Sequence, residues 1–168
     1  MSQRDFNGFA IERTAPSTGV ISEPAGTLHF TVRERVKKDF LCHTAIAVFE
    51  LRVGEVDKPW GRIKIRHKGA MRRTGIGVTI EQDDFAVADT AERILSDAAV
   101  TKALLPLDFV KFQIDVSSGG WRAEMEHFGG SEVCMMLPPS RRYVPLGREQ
   151  RGHLIAAFWA LFCAMARH

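Results

Sequence analysis

The segment Gly119-Gly120-Trp121-Arg122-Ala123-Glu124-Met125-Glu126-His127-Phe128 holds the densest set of groups able to do chemistry. On a strand, alternate side chains share a face, so Arg122, Glu124 and Glu126 line one side. Trp121, Ala123, Met125 and His127 line the other. Two carboxylates at that spacing sit about 7 Å apart, close enough to divide acid and base roles in a hydrolytic site. A small enzyme using Glu124, Glu126, His127 and an arginine is therefore one reading. The competing expectation is a solvated face whose acids balance cations on neighbouring strands. His127 and Glu132 flank Gly129-Gly130 and could approach one metal ion, but a hairpin supplying two ligands lacks the third. No metal is expected.

A second pattern is electrostatic. Arg62, Lys64, Arg66 and Lys68 recur at i+2, which on a strand gives a cationic ladder about 20 Å long. Arg72 and Arg73 follow, and no acid occurs from Gly61 to Gly75. Such a ladder could hold a small anion or an acidic partner. It could equally be a solvated sheet face paired with the acidic helix Asp83–Asp97, its cations guarding against edge pairing. No nucleic-acid-binding signature accompanies it, so nucleic acid is not expected as a partner. Arg141-Arg142-Tyr143 offers a further anion contact or, equally, a polar strand end. The candidate ligand-binding set is Arg62, Lys64, Arg66, Arg141, Arg142, Tyr143 and Trp121. GxSxG and Walker A sequences are absent, and Gly75-x-Gly77 lacks the rest of a dinucleotide fingerprint. No cofactor is implied.

Hydrophobic periodicity places these residues on elements. Residues 1–26 read as an N-terminal arm with a brief edge strand around Phe9 and Ile11, and residues 27–168 as a single α+β domain. Leu28, Phe30 and Val32 alternate with polar residues, giving a half-buried strand that ends before the polar stretch Glu34–Asp39. Phe40 to Arg52 is apolar on both faces at Ala45–Phe49, as in a central strand, and joins its predecessor in an antiparallel hairpin. Strands follow over 60–67 and 74–81. Gln82-Asp83-Asp84 then caps a helix carrying Val87, Ala91 and Ile94. A short helical turn ends at Leu104-Leu105-Pro106. Strands resume over 109–116, 121–128, 131–137 and 141–145, with Ser117-Ser118-Gly119-Gly120 as a hairpin turn.

The last element, Arg148 to Arg167, is a long helix. Large residues (Leu154, Ile155, Phe158, Trp159, Leu161, Phe162 and Met165) form one face, and a stripe of Ala156, Ala157, Ala160, Cys163 and Ala164 another. The expected architecture is a curved antiparallel sheet with this helix on one face, helix-grip-like, and a strands-helix-strands-helix pseudo-repeat. The alanine stripe offers a surface for a homodimer.

Composition narrows the classes. The chain has 168 residues, 45% hydrophobic and 26% charged, which suits one globular domain and excludes disorder. A net charge of +3 conceals segregation: 12 basic and 6 acidic residues from Thr27 to Gln82, then 9 and 11 from Asp83 onward. Three cysteines without CxxC spacing imply reduced thiols in a reducing compartment. The N-terminus lacks a secretory pattern, and the longest apolar run, 13 residues, is too short to span a bilayer. A soluble cytoplasmic protein without a transmembrane segment is expected.

The run Gly120–Val133, together with Pro138, Arg141–Val144 and Leu104–Phe109, resembles a small bacterial family catalogued only as a domain of unknown function. The resemblance covers about Gly8 to Arg167 and implies neither an activity nor catalytic residues. The reading that fits these residues best is a non-catalytic module binding an apolar or anionic small ligand, or an acidic partner. Phe30, Ile46, Val48, Trp121, Met125, Met135, Phe158 and Phe162 would form its apolar wall. The alternatives are the small enzyme above and a structural homodimeric subunit.

Overall fold

The computed structural model describes residues 6, 8–54, 60–69, 73–81, 85–117 and 120–166. Among them, nine strands and three helices form a mixed α+β fold whose sheet is open and mostly antiparallel. The chain divides into two compact units. The first comprises Met1–Glu50, Asp108–Val110 and Met125–Arg151, and the second the remainder.

In the first unit β1 (Ala10–Ala15), β2 (Thr18–Ser22), β3 (His29–Lys38) and β4 (Cys42–Val53) pair consecutively and antiparallel. β8 (Gly120–Met136) follows β4 in the strand order, and β9 (Pro139–Val144) pairs with residues Ser131 to Met136 of β8. The residues expected to make one edge strand form the β1–β2 hairpin instead. β3 also runs on through Glu34–Lys38, because its register with β4 continues to Lys38↔His43. Ladder hydrogen bonds override the local polar composition there. Likewise, the two strands expected on either side of Gly129-Gly130 are one 17-residue strand. Gly130 takes φ +83°, a conformation that glycine adopts at little cost.

The core of this unit is aromatic. Phe6, Phe30 and Phe49 meet with ring centroids 6.0–6.3 Å apart, and His127 stands edge-on to Phe49 at 6.4 Å. Ile46 to Leu51 are all buried, so β4 is the doubly covered central strand that its composition predicts.

In the second unit the order is β8, β7 (Phe109–Ser117), β5 (Gly61–Lys68), β6 (Gly75–Glu81). α1 (Phe85–Ser96) lies against β5 and β6, and α2 (Ala98–Leu104) against β6. Asp97 caps α2, its carboxylate accepting the Ala99 and Val100 N–H groups. That satisfies two donors that the helix itself cannot. The Gln82-Asp83-Asp84 cap and the Ser118-Gly119 part of the expected hairpin turn lie outside the described residues.

α3 (Arg148–Met165) buries Leu154, Ala157, Phe158, Leu161, Ala164 and Met165, one stripe at i, i+3, i+4 spacing. The division into a large face and an alanine face is therefore corrected. Ala157 and Ala164 are core residues, whereas Trp159 is 41% exposed and stacks on Phe162 at 6.0 Å. Among the described residues no helix is long and apolar enough to cross a membrane.

Candidate functional site

β5 delivers the cationic ladder as its alternation demands. Gly61, Ile63 and Ile65 are buried on one face, while Arg62 and Lys64 are half-buried and Arg66 and Lys68 exposed on the other. The register then supplies acids on both sides. Arg62 lies opposite Asp115 on β7 and Glu81 on β6. Asp115 Oδ1 accepts from Arg62 Nε at 2.5 Å, and Oδ2 accepts from Arg122 Nη2 at 2.7 Å and from Gln113 Nε2 at 3.2 Å. One carboxylate therefore holds two guanidiniums in fixed orientation. Lys64 pairs with Glu81. These sheet carboxylates pair with Arg62 and Lys64 of the ladder. Asp89 pairs with Arg93 at 3.2 Å and Asp97 caps α2.

This face borders a cleft of about 590 Å³, lined by Arg52, Arg62 and Arg122, by Glu81 and Asp115, and by Trp60 and Trp121 among others. Its size falls in the range of small-molecule sites. Burial pushes the Asp115 carboxyl up, but hydrogen bonds from Arg122 and Arg62 outweigh it and hold the group below the ordinary carboxylate range. Asp115 in turn raises Arg62 above its usual value. The lining carries three guanidiniums against two carboxylates, a positive excess. Trp121 is 3% exposed, and among the described residues its Nε1 has no hydrogen-bond partner. An unpaired buried donor is costly. A smaller hollow of about 360 Å³ lies in the first unit beside Ile11, Arg13 and Val32. There Arg13 is turned onto the Pro16 carbonyl, so the larger cleft is the better candidate.

Of the Glu124, Glu126 and His127 group, Glu124 is buried, and Glu126 and His127 lie on opposite faces of β8. Glu126, 1% exposed, is clasped by Arg35 and by Lys37, the latter at 2.7 Å. Burial pushes its carboxyl up, but Lys37 and Arg35 prevail and keep it below the carboxylate range, which suits a fixed anion rather than a proton donor. His127 projects to the opposite face into the aromatic core. Its Nδ1 accepts the Gly129 N–H at 2.9 Å and its Nε2–H donates to Gln150 Oε1 at 3.0 Å. Gln150 Oε1 also accepts the Asp108 N–H at 2.8 Å. Burial lowers the His127 pKa more than Gln150, Gly129 and Asp108 raise it, so the ring is neutral. Glu132 is taken by Arg141. Among the described residues no group of three or more His, Cys, Asp or Glu side chains could hold a metal.

The family model described as "Protein of unknown function (DUF3156)" matches residues 4–165. The chain belongs to the DUF3156 family. No curated protein and no solved structure matches it.

In this DUF3156 chain the cleft gathers only two of the expected ligand-binding residues, Arg62 and Trp121. Lys64 stands beside them through Glu81. Arg66 is exposed further along β5, and Arg141, Arg142 and Tyr143 lie on β9, outside the cleft lining. The proposed apolar wall is split. Phe30 and Val32 share the Phe49 side of the β3–β4 pair, whereas Val48 and Ile46 face the other side opposite Arg33 and Arg35. Met135 is 45% exposed. Arg52, Trp60, Glu81, Asp115 and Arg122 are the cleft residues not singled out as ligands. Asp115 is a lone acid in the apolar strand Phe109–Ser117, which has meaning only once β7 is known to adjoin β5.

Proposed function

We propose that this DUF3156 chain is a non-catalytic binding module for a small anionic ligand held in the Arg52–Arg62–Arg122 cleft. The observation that carries this reading is the Asp115 clamp. It presents two oriented guanidiniums beside a third. Anions suit such a site because charge-assisted, bidentate hydrogen bonds to arginine are the strong ones. The reading includes a curved sheet gripping α3, residues 27–168 folding as one domain, and a strands-helix-strands-helix pseudo-repeat. Its support is the continuous buried stripe of α3 and the order of elements.

The test is thermal unfolding against phosphate, citrate, aromatic and aliphatic carboxylates and their neutral amides. An anion at about 100 times its Kd stabilises the folded chain by about 2.7 kcal/mol. The matched amide and an Arg62→Gln variant are expected to show no shift. A panel in which no anion shifts wild type would sink the reading.

A second reading, a homodimeric subunit joined through α3, rests on the outward Trp159–Phe162 stack. Light scattering is expected to show a dimer that Trp159→Glu dissociates; a monomeric wild type at high concentration contradicts it.

A further inference from the structure

Two hairpin tips of the first unit meet. The β3–β4 turn carries Phe40 and Leu41, and the β8–β9 turn carries Met136 and Leu137. The Met136 N–H donates to the Leu41 carbonyl at 2.9 Å, which holds the tips side by side. Their apolar side chains project outward: Phe40 is 93% exposed, Leu137 70%, Met136 53% and Leu41 48%. Connecting turns are ordinarily polar, and a contiguous exposed apolar patch on a monomer marks an interaction surface.

The surroundings of the patch are basic. Lys37 and Lys38 end β3, and Arg141 and Arg142 face Cys134 and Val133 across the β8–β9 pair. Glu126 engages Lys37 and Glu132 engages Arg141, while Lys38 and Arg142 are exposed. Asp39 is the acid within the β3–β4 turn, and its N–H is held by the Cys42 carbonyl at 2.8 Å. Between Val133 and Arg142 the sequence contains no acid. A projecting apolar tip flanked by the exposed cations Lys38 and Arg142 matches a bilayer, apolar beneath and negatively charged at its surface.

We propose that the paired tips dock on a lipid surface carrying anionic headgroups, with Phe40, Leu41, Met136 and Leu137 entering the acyl boundary and Lys38 and Arg142 at the headgroups. The site is separate from the cleft and does not depend on what the cleft binds.

The test is co-sedimentation of the full chain with vesicles of phosphatidylcholine alone or mixed equally with phosphatidylserine. Wild type is expected to pellet with the mixed vesicles and to lose about tenfold in partitioning on pure phosphatidylcholine or in high salt. Phe40→Ser and Leu137→Ser should each lower partitioning by about tenfold, with circular dichroism confirming that the variants fold. Phe40→Trp supplies an independent readout, a blue-shifted emission quenched by brominated lipid. No pelleting with either vesicle, or equal pelleting of wild type and both serine variants, overturns the proposal. Self-association without vesicles that Phe40→Ser abolishes also overturns it, by assigning the tips to a second copy of the chain.

Discussion

Replacing Gly120 with alanine is expected to lower stability by about 3 kcal/mol or more, the range of strained-backbone and overpacking changes. A β-carbon built there would stand 1.5 Å from the Gly54 carbonyl oxygen and 2.7 Å from that of Val53. Both clashes are with backbone, so no side-chain rotation relieves them. Gly120 also takes φ +98° and Gly54 φ +56°, conformations that cost an L-residue energy even in open space. These glycines bring the start of β8 against the end of β4, and Gly120 itself lines the cleft. Urea denaturation checks the expectation: Gly120→Ala should move the midpoint sharply down. The control is Gly152→Ala, on the exposed side of α3 with nothing within 4 Å of the added carbon. It should be neutral or stabilising by up to about 1 kcal/mol. Equal effects at the two positions would contradict the close approach.

Replacing His127 with leucine is expected to cost about 2–4 kcal/mol despite similar bulk. The change strips the Gly129 N–H of its acceptor and Gln150 Oε1 of one of its donors in a buried setting. The same residue sets a pH signature. Its folded pKa lies below the ordinary value of about 6.5, so the folded ring stays neutral where the unfolded one takes up a proton. Stability rises with pH wherever the unfolded state binds more protons. The His127 contribution is therefore fully present above about pH 6.5 and falls as pH drops below it. Glu126 and Asp115, whose folded pKa values are depressed, act lower. They stabilise at neutral pH and lose that contribution as pH falls through the carboxylate range. Stability measured between pH 5 and 7 should slope less in His127→Leu than in wild type; unchanged slopes would remove His127 as the source.

Much of this was legible in the sequence where the information is local. The alternation Arg62-Ile63-Lys64-Ile65-Arg66 fixes both faces of β5 without reference to any other strand. The two-faced apolar run Ala45–Phe49 marks a central strand for the same reason, and the parity of β8 separates His127 from the two glutamates. What was not legible depends on neighbours distant in sequence. The clamp needs β7 beside β5, which no local pattern states, so nothing in the sequence singled out Asp115. Gly120 looked like turn chemistry, because the backbone that excludes a side chain there belongs to Val53 and Gly54. The polar run Glu34–Lys38 suggested a connection, yet Arg35 and Lys37 continue β3 and clasp Glu126 on β8. On α3 the large residues and alanines seemed to divide by size, whereas burial sorts them by position and leaves Trp159 outside.

The claim that the cleft binds a small anion is tested most directly by tryptophan emission. The chain has three tryptophans, and Trp60 and Trp121 both line the cleft. In a Trp159→Phe variant the whole signal therefore reports on that wall. Titration with the stabilising anion should change this emission saturably, and the change should vanish when Arg62→Gln or Arg122→Gln is added. Emission that stays flat while an anion still raises thermal stability would place the anion elsewhere and contradict the account.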